Sequence, residues 1–272
     1  MMEILTDLSP AAQAVAVKAN LYEFFRSLAR WDQTDFYAGL DYTRWQTSVP
    51  HTWFNGVLLP RPASAVADAE ALIATARAYF RSRRAASFTC WLAPELKPAD
   101  WRAPLQAAGF RYDNNTPGMA APLDALNEDR PVPAGFHVAP VDGLAALKVW
   151  TEVFVAGYPI PPSWQPGLYA LLAGLGLELP MRNYTGFLNG RPVATSNLFL
   201  GAGVGGVQFV ATLPEARGKG IGAQMTLAAL RDARAAGCRL GILQSSELGY
   251  PLYRRLGLKL VCDVDYFTWA PA

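Results

Sequence analysis

A chain of 272 residues offers more than one ordinary α/β core needs, and 51% hydrophobic against 17% charged residues excludes a largely disordered polymer. Its formal charge of +2 comes from acidic and basic residues scattered in nearly equal number, without the Lys/Arg stripe that a phosphate backbone demands, so nucleic acid is not an expected partner. The longest apolar stretch, Leu168 to Leu179, is broken by Gly174, Gly176 and Glu178. It falls short of a bilayer core of ~30 Å, so no membrane span is expected.

Met1–Asp7 places acidic residues where an export signal would carry positive charge, and Cys90, Cys238 and Cys262 lack chelating or paired spacing. Reduced thiols in a cytoplasmic protein are the expectation. His51 and His137 are the only histidines, too few for a histidine metal site or a His-dependent triad, so no metal is expected.

Along the chain, Ser9-Pro10 reads as an N-cap with proline at the first helical position, followed by Ala14, Val17, Leu21, Phe24 and Leu28 at helical spacing. Between Tyr42 and Leu59, Pro50 and Asn55-Gly56 suggest strands joined by a turn. A helix over Ser64–Phe80, a strand over Ser87–Leu92 and a short helix over Asp100–Ala108 stopped by Gly109 complete the first half. The run Leu126–Gly135 joins prolines, glycine and charge without apolar periodicity. It predicts a linker over 126–135 between domains at 1–125 and 136–272.

The second half predicts a strand at Phe136–Pro140 and helices after Asp142 and Pro166. A β meander follows, over Arg182–Leu188, Arg191–Leu200 and Val207–Thr212. Asn189-Gly190 is the hairpin signal between the first pair, and Gly201–Gly206 turns the second. Then come a helix over Gly220–Ala236, a strand over Arg239–Gln244, a helix over Tyr250–Leu256, and two strands within Lys259–Trp269. The order is mixed α/β. Leu105–Phe110 and Tyr253–Leu258 repeat one pattern, a helix end stopped by glycine, which points to an internal duplication.

The chemistry is carried by Leu213-Pro214-Glu215-Ala216-Arg217-Gly218-Lys219-Gly220-Ile221-Gly222, where three glycines fall within five positions just before an amphipathic helix. Helix starts ordinarily use Ser, Thr, Asp or Asn and gain nothing from repeated glycine. Glycine lets main-chain N–H groups converge on an anion, and the helix adds its own unpaired donors and dipole. A pyrophosphate spans several such donors, with Arg217 and Lys219 supplying charge. The spacing fits neither a Walker A loop nor a dinucleotide fingerprint.

With Arg217, Gly220 and Gly222 matching Arg/Gln-x-x-Gly-x-Gly/Ala, and Tyr253, Gly257 and Leu258 matching a later Tyr-x-x-x-Gly-Phe element, the C-terminal half resembles the GCN5-related N-acetyltransferase (GNAT) family. The resemblance covers roughly residues 136 to 270, with Leu258 departing from Phe. It implies a tandem GNAT-like acyl-CoA N-acyltransferase fold, with a degenerate first copy. There Leu59-Pro60-Arg61-Pro62-Ala63 holds no glycine to cradle an anion.

The resemblance further implies acetyl-CoA as donor, with the pyrophosphate on the amides of Arg217, Gly218, Lys219, Gly220, Ile221 and Gly222. The pantetheine arm would lie along Val210, Ala211 and Thr212, and Ser246 would sit where the family commonly has Asn. Ser246 reads equally well as a helix cap. Tyr253 stands where the family often has a proton donor to sulfur. The strand position that often supplies a basic Glu holds Gln208, and Glu152, Glu178 and Glu247 are weak substitutes. The expected acceptor is a small amine; Trp45, Trp53, Trp91, Trp150, Tyr158 and Trp164 are candidates to line its cleft. Two alternatives stay open: an acyl-CoA sensor without turnover, and transfer to a larger thiol-conjugate or peptide acceptor. Neither the acceptor nor the oligomeric state is readable.

Overall fold

The computed structural model describes residues 2–113, 116–158 and 160–270. In chain order it contains α1 (Pro10–Ser27), β1 (Asp35–Ala38), β2 (Thr43–Gln46), β3 (Asn55–Leu59), α2 (Ala69–Ser82), β4 (Phe88–Leu92), α3 (Ala99–Ala107), β5 (Arg111–Asp113) and β6 (Pro117–Pro122). There follow β7 (Phe136–Pro140), α4 (Leu144–Gly157), α5 (Gln165–Leu175), β8 (Met181–Leu188), β9 (Arg191–Gly201), β10 (Val204–Thr212), α6 (Ile221–Ala235), β11 (Leu240–Gln244), α7 (Tyr250–Arg255), β12 (Lys259–Asp263) and β13 (Tyr266–Trp269). Among the described residues no helix is long and apolar enough to cross a membrane.

The chain divides into two compact units, one of Met1–Phe24 with Pro117–Cys262, the other of Phe25–Thr116 with Asp263–Ala272. The first unit holds a seven-stranded sheet in the order β12-β6-β11-β10-β9-β8-β7. Its hairpin between β8 and β9 turns at Asn189 (φ 51°) and Gly190 (φ 78°), the left-handed pair that matches strand twist. The β9–β10 turn is tighter than the glycine run suggests, being made by Ala202 (φ 51°) and Gly203 (φ 74°). Gly205 and Gly206 stay in the strand because a Cβ there would meet Ala233 at 2.3 Å and Asn20 at 2.2 Å; they admit close packing rather than a bend.

Alternation along β9 sorts the two faces of this sheet. Leu198 joins the core formed with Leu227, Leu230 and Ala233 of α6, while Phe199 stacks edge-on against Phe24 of α1 at 5.6 Å. Trp150 and Phe154 of α4 and Phe24 of α1 surround Phe209.

The second unit holds a six-stranded sheet in the order β1-β2-β3-β4-β13-β5, with α2 carrying the chain from β3 to its parallel neighbour β4. Ile73, Ala76 and Phe80 of α2 pack with Val57, Leu59, Phe88 and Phe267. Asn55-Gly56 is not a turn here but the start of β3. Asn55 is buried and serves the preceding loop, accepting from Thr47 N at 3.0 Å and donating to Val49 O at 2.7 Å.

Both units run β-β-β-α-β-α-β, as β1-β2-β3-α2-β4-α3-β5 and β8-β9-β10-α6-β11-α7-β12. Gly109 (φ 83°) and Gly257 (φ 97°) end α3 and α7 alike. Each sheet also takes a strand from the other half of the sequence: β6 lies between β11 and β12, and β13 between β4 and β5.

The structural division therefore differs from domains at 1–125 and 136–272, since α1 up to Phe24 and β6 fold with the second half and β13 with the first. Residues 126–135 are no bare spacer. Asn127 N donates to Leu256 O at 3.0 Å, and Glu128 sits between Arg231 at 2.7 Å and Arg234 at 2.8 Å of α6. These two guanidinium groups hold the Glu128 carboxyl below the usual carboxylate range, chiefly through the Arg231 hydrogen bond.

Candidate active site

The parallel strands β10 and β11 pair only from Gly205–Gly241 to Val207–Leu243. Beyond that, the register of β10 against β9 shifts between Gln208 and Ala211, and Phe209 takes φ 53°, rare for an aromatic residue. The bulge bends β10 away from β11 and leaves the backbone edge of Val210–Thr212 without that neighbour. The aromatic packing of Phe209 on Trp150, Phe154 and Phe24 supplies the context that holds this conformation.

The strand then leads through a short 3-10 turn, Pro214–Ala216, to α6. Gly218 (φ 76°) and Gly220 (φ 80°) are both left-handed, and Gly220 is the N-cap of α6 without any side-chain cap. Among the described residues, no backbone acceptor meets the N–H groups of Gly218, Lys219, Gly220, Ile221 and Gly222. They are the orphan donors of a helix start, gathered by two left-handed glycines into one anion-binding concavity. Gly222 serves packing: a Cβ there would touch Leu252 of α7 at 3.3 Å.

A cavity of about 750 Å³ joins these parts. Of the residues expected from the sequence, Val210, Ala211, Thr212, Arg217, Gly218, Gly220, Ile221, Gly222, Ser246 and Tyr253 line it, and Lys219 does not. Lys219 Nζ instead donates to Glu215 O at 3.2 Å. Arg217 has a structural task, donating from Nε to Thr212 O at 3.0 Å and from Nη2 to Gly157 O at 2.9 Å. It thereby clasps the end of β10 to the C-terminus of α4, where a cation also suits the helix dipole. Ser246 Oγ accepts from Gly249 N at 3.2 Å, so it braces the turn that leads into α7, whose N-cap Gly249 has no side-chain cap, while facing the cavity.

Tyr253 is 7% exposed, and burial, with Tyr158 beside it, pushes its phenol well above the usual tyrosine range. Its ring lies over Gly249, where a Cβ would come within 2.7 Å. Tyr158, also raised by burial, lines the same cavity. Among the described residues no carboxylate side chain lines the cavity. Glu152, Glu178 and Glu247 are exposed, with Glu178 facing Arg182 at 3.8 Å. Gln208 lies opposite Asn197 on β9, and its Nε2 has no partner among the described residues.

Of the aromatic residues considered for an acceptor cleft, Trp45, Trp91 and Trp150 are fully buried core side chains, while Trp53 and Trp164 are half-buried. Only Tyr158 lines the cavity. The sequence reading missed Gly157, Leu252 and Arg255. The one available signal for Arg255 was its place three residues after Leu252, on the α7 face that meets the glycine loop.

The mixed sheet, with its bulge beside a helix that starts at glycine, has the arrangement of a GNAT fold. Residues 147–258 match the sequence model of the acetyltransferase (GNAT) family. Acyl transfer is accordingly its class of reaction. The chain is similar in fold to a GCN5-related N-acetyltransferase from Kribbella flavida, at 20% identity over 93% of this chain and 96% of that one, with a TM-score of 0.71. It is similar to another from Sphaerobacter thermophilus, at 17% identity, coverage of 97% and 95%, and a TM-score of 0.64. A tandem GNAT protein from the clavulanic acid biosynthesis pathway matches 98% of this chain over 97% of its own, at 15% identity and a TM-score of 0.59. No curated protein matches the sequence.

Proposed function

We propose that the protein is an acetyl-CoA-dependent N-acetyltransferase acting by direct attack of a small amine, with one donor site, in the unit containing α6. The observation that carries this reading is the juxtaposition of the strand edge opened by the Phe209 bulge, the uncapped amides of Gly218–Gly222 and the Tyr253 phenol around one cavity. Three uncommon features serve one elongated thioester whose polar groups are spaced in that way. The amides hold the pyrophosphate, and the open edge of Val210–Thr212 pairs with the pantetheine amides as a sheet edge pairs with a strand. Ser246 offers a hydroxyl beside that arm.

As the C–N bond forms and the C–S bond breaks, a bulge amide donates to the carbonyl oxygen and Tyr253 gives its proton to sulfur. The amine proton leaves to water, from which Tyr253 is recharged. Burial suits Tyr253 to this role, because a raised pKa keeps the proton on the phenol until a thiolate needs it. Arg217 contributes by fixing the mouth of the cleft. The first half is, on this reading, a degenerate copy of the same fold, and reduced thiols at Cys90, Cys238 and Cys262 suit a cytoplasmic protein.

A calorimetric titration with acetyl-CoA tests the donor site; one site per chain, lost in Gly220→Val, is the expected result. Amine-dependent release of free CoA thiol then tests turnover. The lack of a carboxylate in the cavity favours a second reading, an acyl-CoA sensor. Tight binding without thiol release across a broad amine panel would establish the sensor instead.

A further inference from the structure

The donor-site reading assigns the loop amides to a diphosphate, yet coenzyme A carries a third phosphate on its ribose, a monoester approaching two negative charges at neutral pH. The sequence offers Arg217 and Lys219 as the obvious cations. Both are committed within the chain: Arg217 to Thr212 O and Gly157 O, Lys219 to Glu215 O. Of the two cationic side chains lining the cavity, the other is Arg255, which is exposed and has no hydrogen-bond or ion-pair partner for its guanidinium among the described residues. It ends α7, one helical turn past Leu252, the residue that touches Gly222. Two residues after Tyr253 on a helix, Arg255 leaves α7 in a different direction from that buried ring and is exposed.

The backbone there is braced from residues outside the motif. Arg130 Nη2 donates to Arg255 O, Gln224 Nε2 donates to Arg130 O at 3.2 Å, and Pro131 O lies 3.5 Å from where a Cβ of Gly220 would stand. Arg130 therefore brings a second guanidinium to the same corner, and its buried Nε has no partner among the described residues. The neighbouring carboxylate, Glu128, is already neutralised between Arg231 and Arg234. An anion at this end of α7 is attracted by both side chains.

We propose that Arg255, backed by Arg130, binds the 3′-phosphate of coenzyme A, so that the donor site selects 3′-phosphorylated thioesters over their dephospho forms. The inference rests on the donor-site reading and adds a specificity that the glycine loop alone does not give.

Calorimetry with acetyl-CoA and 3′-dephospho-acetyl-CoA separates the two. A charge-assisted bidentate contact predicts that the wild-type protein prefers acetyl-CoA by roughly 10- to 100-fold, and that this preference shrinks as salt is raised. Arg255→Met, which keeps the aliphatic stem, should weaken acetyl-CoA until the two ligands bind within about threefold, leaving the dephospho form unchanged; its retained binding shows that the variant is folded. Equal affinity of the wild type for both ligands, or an undiminished preference in Arg255→Met, overturns the proposal while leaving the donor site standing. Failure of the wild type to bind either ligand overturns both.

Discussion

The two units repeat one order of strands and helices, and the contrast lies where each parallel pair opens onto a helix. In the first unit β10 leaves β11 after Val207, and α6 starts at a left-handed Gly220 without a side-chain cap. In the second, β3 and β4 stay paired through Leu59–Leu92, extended by Ala93 N donating to Leu59 O at 3.0 Å. There α2 starts at Asp68, whose carboxylate accepts from Ala71 N at 2.8 Å. One helix start offers donors to an incoming anion; the other has filled that place with its own carboxylate. An unpaired helix start is a standing cost in stability, and the one at α6 lies beside a cavity.

The sharpest way to break the comparison is Gly220→Val. A β-branched residue at φ 80° is strained whatever the space around it, and nothing but Pro131 O lies within 4 Å of the new Cβ. The strained backbone turns the loop amides, the added side chain stands on the wall of the cavity, and acetyl-CoA affinity should fall at least ~100-fold. Calorimetry gives the affinity, and circular dichroism shows whether α6 survives. Two sites per wild-type chain would dissolve the contrast between the units.

Tyr253→Phe sharpens the chemical side. If the phenol supplies the proton to sulfur, kcat falls about 10²-fold while the dissociation constant of acetyl-CoA changes less than about twofold. An equal loss in both would mark Tyr253 as a packing residue. Because burial raises this phenol, the alkaline limb of the rate profile should lie above the ordinary tyrosine value of about 10.

A related effect is shared by both units. Burial, aided by Asp35 and Asp265, raises Tyr79 and Tyr112 to about 12, and Tyr253 and Tyr184 are also raised. The folded chain keeps protons there that the unfolded chain releases from about pH 10 upward. The contribution of these phenols to stability should therefore be level below pH 10 and decline as pH climbs from 10 towards 12, which urea denaturation at stepped alkaline pH reads directly. A flat profile would place these phenols in contact with water.

The glycine loop before α6 stood out in the sequence because its glycines are expensive in a helix start and so demand a reason that can be read locally. Gly218 and Gly220 do take positive φ as that reading requires. The same logic failed at Gly205 and Gly206, where glycine answers to Ala233 and Asn20, residues far away in sequence. The bulge at Phe209 left no trace, since Val-Gln-Phe-Val is an unremarkable strand and the strain is held by Trp150, Phe154 and Phe24. Nor was the strand exchange visible. Composition put a linker at 126–135, but β6 and β13 choose their sheets by pairing with segments more than a hundred residues away, a choice no local pattern records. Arg217 reads from the sequence as charge for an anion, whereas its guanidinium is tied to the carbonyls of Thr212 and Gly157, the second of them sixty residues away.

The smallest expected effects test whether the second unit could regain what it lacks. Asp68→Ala removes the cap from α2 and should cost about 1 kcal/mol of stability. Gly218→Ala, whose new Cβ meets nothing within 4 Å, carries a similar cost of about 1 kcal/mol from the left-handed backbone. The two variants differ in binding. Gly218→Ala disturbs one of the donors around the cavity and should weaken acetyl-CoA severalfold, whereas Asp68→Ala should leave affinity and stoichiometry untouched. Uncapping α2 frees a donor but does not part β3 from β4, and no glycine lies between Leu59 and Asp68 to gather further amides. A second binding event in Asp68→Ala would mean that the carboxylate alone had closed the site; its absence assigns the difference to the paired strands.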